Sequence, residues 1–223
     1  PTFYGSWDYG TVKHETIDSL GCNDAPSVLG GQYGDYYDSQ GNSYTSKLNT
    51  FYKECLGFIG WHANRPLIYV TNSGNYTITD SMSLSDGPKA IKILYNRDAI
   101  ATSWGTAYRD KKVFFYLELR NDHRFPGSTT VGGKKHKGVN GSPYVGPAVQ
   151  IRNGTPHYIG EPAGNITSET FRDDLGIGGG LPLGGSFSFT TDEAISDPYL
   201  VYTHYHHVVT VKVTNLSSTQ ATI

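Results

Sequence analysis

The segment Tyr199-Leu200-Val201-Tyr202-Thr203-His204-Tyr205-His206-His207-Val208-Val209-Thr210-Val211-Lys212-Val213 decides the fold class. Side chains alternate between the two faces of a strand. The pattern therefore places Val201, Thr203, Tyr205, His207, Val209, Val211 and Val213 on one face, expected to be buried. Tyr202, His204, His206, Thr210 and Lys212 fall on the other, expected to meet solvent. β-Branched and aromatic residues fill the run, and no helix-period stripe competes with it. A strand this long is expected to bend or to switch sheets midway.

Working outward, runs of the same kind recur between turn residues. Strands are expected over Pro66 to Thr71, Ala90 to Tyr95, Val113 to Arg120 and Val145 to Arg152. Shorter ones are expected near Thr11 to Ile17, Tyr76 to Ser83, Pro156 to Ile159 and Ser186 to Thr191. Gly30-Gly31, Asn72 to Gly74, Asp86-Gly87-Pro88, Gly132-Gly133 and Asn153-Gly154 supply the turn chemistry between them. A turn or two of helix is expected in Ser46 to Glu54 and another in Ser168 to Asp174. Two glycine-rich stretches read as loops or sharp connections: Val131 to Gly141, which holds Lys134, Lys135, His136 and Lys137, and Gly176 to Gly185.

The composition agrees with strands: 17 tyrosines and 27 glycines stand against one methionine. An all-β fold follows, an antiparallel β-sandwich or jelly roll. Residues 1–214 are expected to form one domain, and 215–223 to begin a linker or a loose terminal segment. A net charge of −2 offers no pull toward nucleic acid, and no run approaches the roughly 20 apolar residues that cross a bilayer. Pro1 to Tyr9 lacks the basic and apolar regions of a signal peptide, so the numbering is expected to begin at a processed terminus. Cys22 and Cys55 can pair in only one way, which points to a disulfide and an oxidising compartment. Closing about 33 residues of chain would stabilise the fold by on the order of 3–4 kcal/mol.

Catalytic signatures are not apparent. The sequence lacks a G-x-S-x-G elbow, a Cys nucleophile beside a His and a phosphate-cradling glycine loop that opens a helix. No carboxylate pair declares itself for glycoside hydrolysis. His204 and His206, two apart in one strand, could share a metal with a third ligand, but two histidines on a solvent-facing strand need none. His207 is expected to point inward. No cofactor and no metal is expected. Asn-X-Ser/Thr sequons at Asn75, Asn140, Asn153, Asn165 and Asn215 matter only in a source that glycosylates.

Aromatic rings beside small polar groups form the most suggestive constellation. A sugar presents apolar C–H faces and a rim of hydroxyls, so its sites combine a Trp or Tyr platform with amide, carboxyl or guanidinium partners. Two segments qualify. In one, Trp104 and Tyr108 would stack on the sugar while Arg109 holds hydroxyls or a carboxylate. In the other, inside the Cys22–Cys55 loop, Tyr36 and Tyr37 would stack while Asp35 and Asn42 hydrogen-bond. The basic run Lys134 to Lys137 could meet a sialic acid or sulfate.

Near the carboxyl end, Leu181-Pro182-Leu183-Gly184-Gly185-Ser186-Phe187-Ser188-Phe189, followed by the long strand through Val213, resembles the closing part of the receptor-binding (lectin) domains of bacterial chaperone–usher fimbrial tip adhesins. The single cysteine pair and the strand ending at Asn121-Asp122 agree with it. The resemblance implies an elongated immunoglobulin-like sandwich that binds host glycans on glycoproteins or glycolipids without catalysis. It also implies an extracellular place at the fimbrial tip, with a pilin domain and other fimbrial subunits as partners. A viral or phage attachment domain and a secreted polysaccharide-active enzyme are the alternatives.

Overall fold

The computed structural model describes residues 9–20, 40, 48–60, 64–103, 106–125, 128–131, 134–137, 144–154, 168–170, 180–195 and 203–223. Strands dominate these residues, in several sheets with few helices. The helices are α1 (Tyr9–Ser19) and α2 (Thr50–Cys55). The strands run β1 (Leu67–Val70), β2 (Thr77–Thr79), β3 (Ala90–Ser103), β4 (Thr106–Phe125), β5 (Ser128–Val131), β6 (Lys134–Lys137), β7 (Tyr144–Gly154), β8 (Ser168–Thr170), β9 (Gly180–Leu181), β10 (Ser186–Ile195), β11 (Thr203–Lys212), β12 (Asn215–Leu216) and β13 (Gln220–Thr222).

The largest sheet has the order β11-β10-β3-β4-β7-β8, with β1 also on β3 and β9 also on β7. Most pairings are antiparallel, as the turn-rich sequence suggests. Two depart from that expectation: β1 runs parallel to β3, Leu67 opposite Ala90 through Val70 opposite Ile93, and β10 meets β3 in parallel at Asp192 and Asn96. The chain between β1 and β3 detours through β2, which joins a separate sheet β12-β13-β2, and that detour lets β1 and β3 run the same way. β5 and β6 form a ribbon of their own.

Alternation along β4 builds two different interiors. Phe115, Leu117 and Leu119 face an apolar cluster with Ile78, Ile91, Ile93, Val149 and Val211. The β10–β11 ribbon lays Phe189 on Phe115, ring centroids 4.2 Å apart, with Phe187 at 6.0 Å. The alternate residues Phe114, Tyr116, Glu118 and Arg120 are also buried, under α2 and the Ile17 turn of α1. Gly154, opposite Phe114, leaves room for the Phe51 ring: a Cβ there would lie 2.5 Å from Phe51 Cε2.

The Leu-Pro-Leu-Gly-Gly segment is a tight turn with a local cause. Gly185 N–H donates to Pro182 O at 2.8 Å, and Gly184 at the third position has φ +80°, a conformation glycine adopts freely. Gly184 N–H to Val213 O and Val213 N–H to Gly185 O then tie the turn to the end of β11.

Several expectations need correction. Thr11 to Ile17 is helical: His14 and Ile17, three apart, bury together, and the Thr16 and Ser19 hydroxyls donate back to the carbonyls of Val12 and Glu15 at 2.7 and 2.8 Å. Ser168–Thr170 is strand, because its backbone completes the edge of β7. Lys134–Lys137 pairs with β5 as a hairpin strand. His207 is exposed, whereas Val209 and Val211 on the same side of β11 pack on the Phe115 cluster. Residues 215–223, read as a linker or loose segment, instead form β12 and β13, with Ala221 and Ile223 in the core. Their hydroxyl-rich pattern hides a two-residue apolar contribution.

Candidate functional site

Charged side chains on the helix-facing side of the sheet form two connected groups. Lys92 Nζ donates to both oxygens of Glu54 at 2.8 and 3.0 Å, and Tyr116 Oη donates to the same carboxylate at 2.6 Å. The Lys92 ammonium also stands 4.2 Å from the centroid of the Phe114 ring. Nearby, Glu118 accepts from Arg152 Nε at 2.9 Å and from the backbone N–H of Thr50, the first residue of α2, at 3.1 Å. Arg152 also donates to Gln150 at 2.6 Å. Asn49 caps the same helix, its side chain accepting from Tyr52 N–H at 3.0 Å.

Burial pushes the Glu118 carboxyl above the usual carboxylate range, against the pull of Arg120, Lys53 and the Thr50 hydrogen bond. The same burial lowers the Arg152 guanidinium to about 9. Glu118 and Arg152 are both fully enclosed, so this network seats α2 on the sheet and offers nothing to a diffusing substrate.

A cleft does open where β3 changes partner. The outer edge of β3 pairs with β1 as far as Ile93 and with β10 at Asn96, and a cavity of about 670 Å³ lies at this gap between β1 and β11. Ile91, Ile93 and Val211 line its inner part. Tyr69, 51% exposed, reaches its edge with the ring turned to the helix-facing side of the sheet, edge-on against Phe114 at 5.9 Å, and Asn72, Ser73, His207, Thr210 and Lys212 complete the rim. The loop after β1 is held in shape: Tyr76 Oη donates to Asn72 O at 2.6 Å, and Tyr76 exchanges backbone hydrogen bonds with Ile223. An apolar interior and a polar rim with an exposed tyrosine at its edge are the elements of a site for an amphipathic ligand.

Of the residues singled out from sequence, Asp35, Tyr36, Tyr37, Asn42, Trp104 and Cys22 lie outside the described residues, as does the Pro156 to Ile159 strand. Tyr108 and Arg109 fall in β4, where Tyr108 pairs with Ala101 and Thr106 with Ser103. The described residues of that segment, 102–103 and 106–110, are therefore strand rather than irregular. Cys55 is buried in α2 beneath Phe114 and Tyr116. His206 stands opposite Asp192 and His204 opposite Ala194. Among the described residues no group of three or more His, Cys, Asp or Glu is placed to hold a metal, and no helix is long and apolar enough to cross a membrane.

Sequence reasoning missed Tyr69, Asn72 and His207 as site residues. The available signal was an aromatic near the end of a strand followed directly by the Asn-Ser-Gly turn at 72–74. No family model, curated protein or solved structure matches the chain.

Proposed function

We propose that this chain is a non-catalytic carbohydrate-binding domain of an exported adhesin, which holds a saccharide in the cleft between β1 and β11. The observation that carries the reading is the cleft itself, an apolar interior of Ile91, Ile93 and Val211 with Tyr69 and amide, hydroxyl and imidazole groups at its rim. A pyranose would lay its C–H face on that interior beside Tyr69 and direct hydroxyls to Asn72, Ser73 and His207. The rigid turn at Pro182–Gly185 and the packing of β10–β11 across Phe115 support the likeness to fimbrial tip lectin domains and a sandwich arrangement. In this reading Cys22 closes onto Cys55, the domain acts outside the cell at a fimbrial tip, and host glycans and fimbrial subunits are its partners.

The segments around Trp104, Tyr108 and Arg109 and around Asp35, Tyr36, Tyr37 and Asn42 form a second candidate platform within the same function. Glycan-array binding of Tyr69→Ala and Trp104→Ala separates the two. Loss of binding in Tyr69→Ala alone, with the melting temperature within a few degrees of the parent, assigns the β1–β11 cleft. Loss in Trp104→Ala alone moves the site to the segment around Trp104. Retention in both, or no glycan bound by the parent, refutes the reading.

A further inference from the structure

A second cleft of about 310 Å³ lies between the turn after α2 and the loop after β2. Lys13, Lys53, Arg65 and Lys89 line it together with Phe58 and Met82, and none of the described lining residues is acidic. Lys53, Arg65 and Lys89 each donate to neutral oxygens of the 80–85 loop. Lys89, almost fully buried, donates to Asp80 O, Ser83 Oγ and Ser85 Oγ, each at 3.2 Å. Lys53 donates to Ser81 O at 2.6 Å, and the Arg65 guanidinium donates to Leu84 O at 3.4 Å. Among the described residues neither Lys89 nor Arg65 has a carboxylate within ion-pair distance.

Arg65 and Lys89 bring like charge to one cavity, a repulsion that an entering anion would relieve, and a guanidinium with N–H donors to spare matches the fork of an oxyanion. Burial lowers the Lys89 ammonium below its ordinary value, and the Arg65 charge acts in the same direction, opposed by Asp80 and Asp86. An entering anion would oppose that shift. On the rim, Phe58 is 54% and Leu84 81% exposed, which gives the mouth an apolar lip.

We propose that this cleft binds the phosphate or sulfate of a monoester, with the ester's apolar group resting on Phe58 and Leu84. Such an oxyanion comes either from a small soluble ester or from a lipid headgroup. The cleft is separate from that between β1 and β11, and the proposal does not rest on saccharide binding there.

The test is titration of the isotope-labelled chain with phenyl phosphate, inorganic phosphate and phenol, followed by amide shifts. Phenyl phosphate is expected to move the amides of residues 81–84 and to bind about tenfold or more tightly than phenol. Arg65→Gln, a partly exposed position, should weaken it by about tenfold with the melting temperature unchanged. Equal affinity for phenol and phenyl phosphate, or an unchanged affinity in Arg65→Gln, overturns the proposal. Sedimentation with phosphatidylcholine vesicles, with and without phosphatidic acid, then distinguishes the sources. Acid-dependent co-sedimentation that Leu84→Ser abolishes supports the lipid headgroup, and phenyl phosphate binding without co-sedimentation supports the soluble ester.

Discussion

The two sides of β4 are both buried but differ in what they bury. Phe115, Leu117 and Leu119 join an apolar cluster, whereas Tyr116, Glu118 and Arg120, one residue out of step, add ion pairs and hydrogen bonds to the apolar packing under α2. The apolar side gains free energy in proportion to area removed from water and is indifferent to direction. The charged side gains little net stability, because desolvating each ion offsets most of its attraction, but it is strict about geometry. Glu118 can satisfy both Arg152 and the Thr50 N–H only with α2 in one position. The difference suggests that the apolar face supplies adhesion and the charged face supplies the register of the helix.

The comparison breaks most visibly at Glu118. Glu118→Leu keeps the volume but strands Arg152 and Arg120, and should cost about 3–5 kcal/mol by denaturant unfolding. Adding Arg152→Met should recover part of that loss, with a coupling of about 0.5–3 kcal/mol, and strictly additive losses would deny the pairing. A smaller effect, about 1–3 kcal/mol, is expected of Gly154→Ala, whose new methyl collides with the Phe51 ring. An unchanged melting temperature there would show that α2 slides freely. The smallest belongs to the apolar side: Ile91→Val should cost about 0.5–1.5 kcal/mol, and a loss as large as that of Glu118→Leu would erase the contrast.

The middle of β4, buried on both faces, was legible because it reads as a near-continuous apolar and aromatic run, and Leu67–Val70 was legible by the same kind of run although its Tyr69 is exposed. The helix α1 was not: Thr-Val-Lys-His-Glu-Thr-Ile at 11–17 alternates well enough to imitate a strand, and only its contact with α2's cluster selects the helical period. The inward-facing Glu118 and Arg152 were equally hidden, since a charged residue in a strand ordinarily marks the wet face. For the candidate site, the polar turn at 72–74 was visible, but its meeting with His207 depends on β3 exchanging β1 for β10. No local pattern encodes that long-range event.

The union of β13 with β2 bears on how the chain reaches this state. Thr222 and Thr77, whose hydroxyls lie 3.2 Å apart, are 145 positions apart along the chain. Native assembly must therefore wait for a very wide loop to close, which places such topologies among the slower folders, in the millisecond-to-second range. Throughout that delay the rim of β2 beside Ile78 stays open to strangers, a template on which unrelated chains can add themselves.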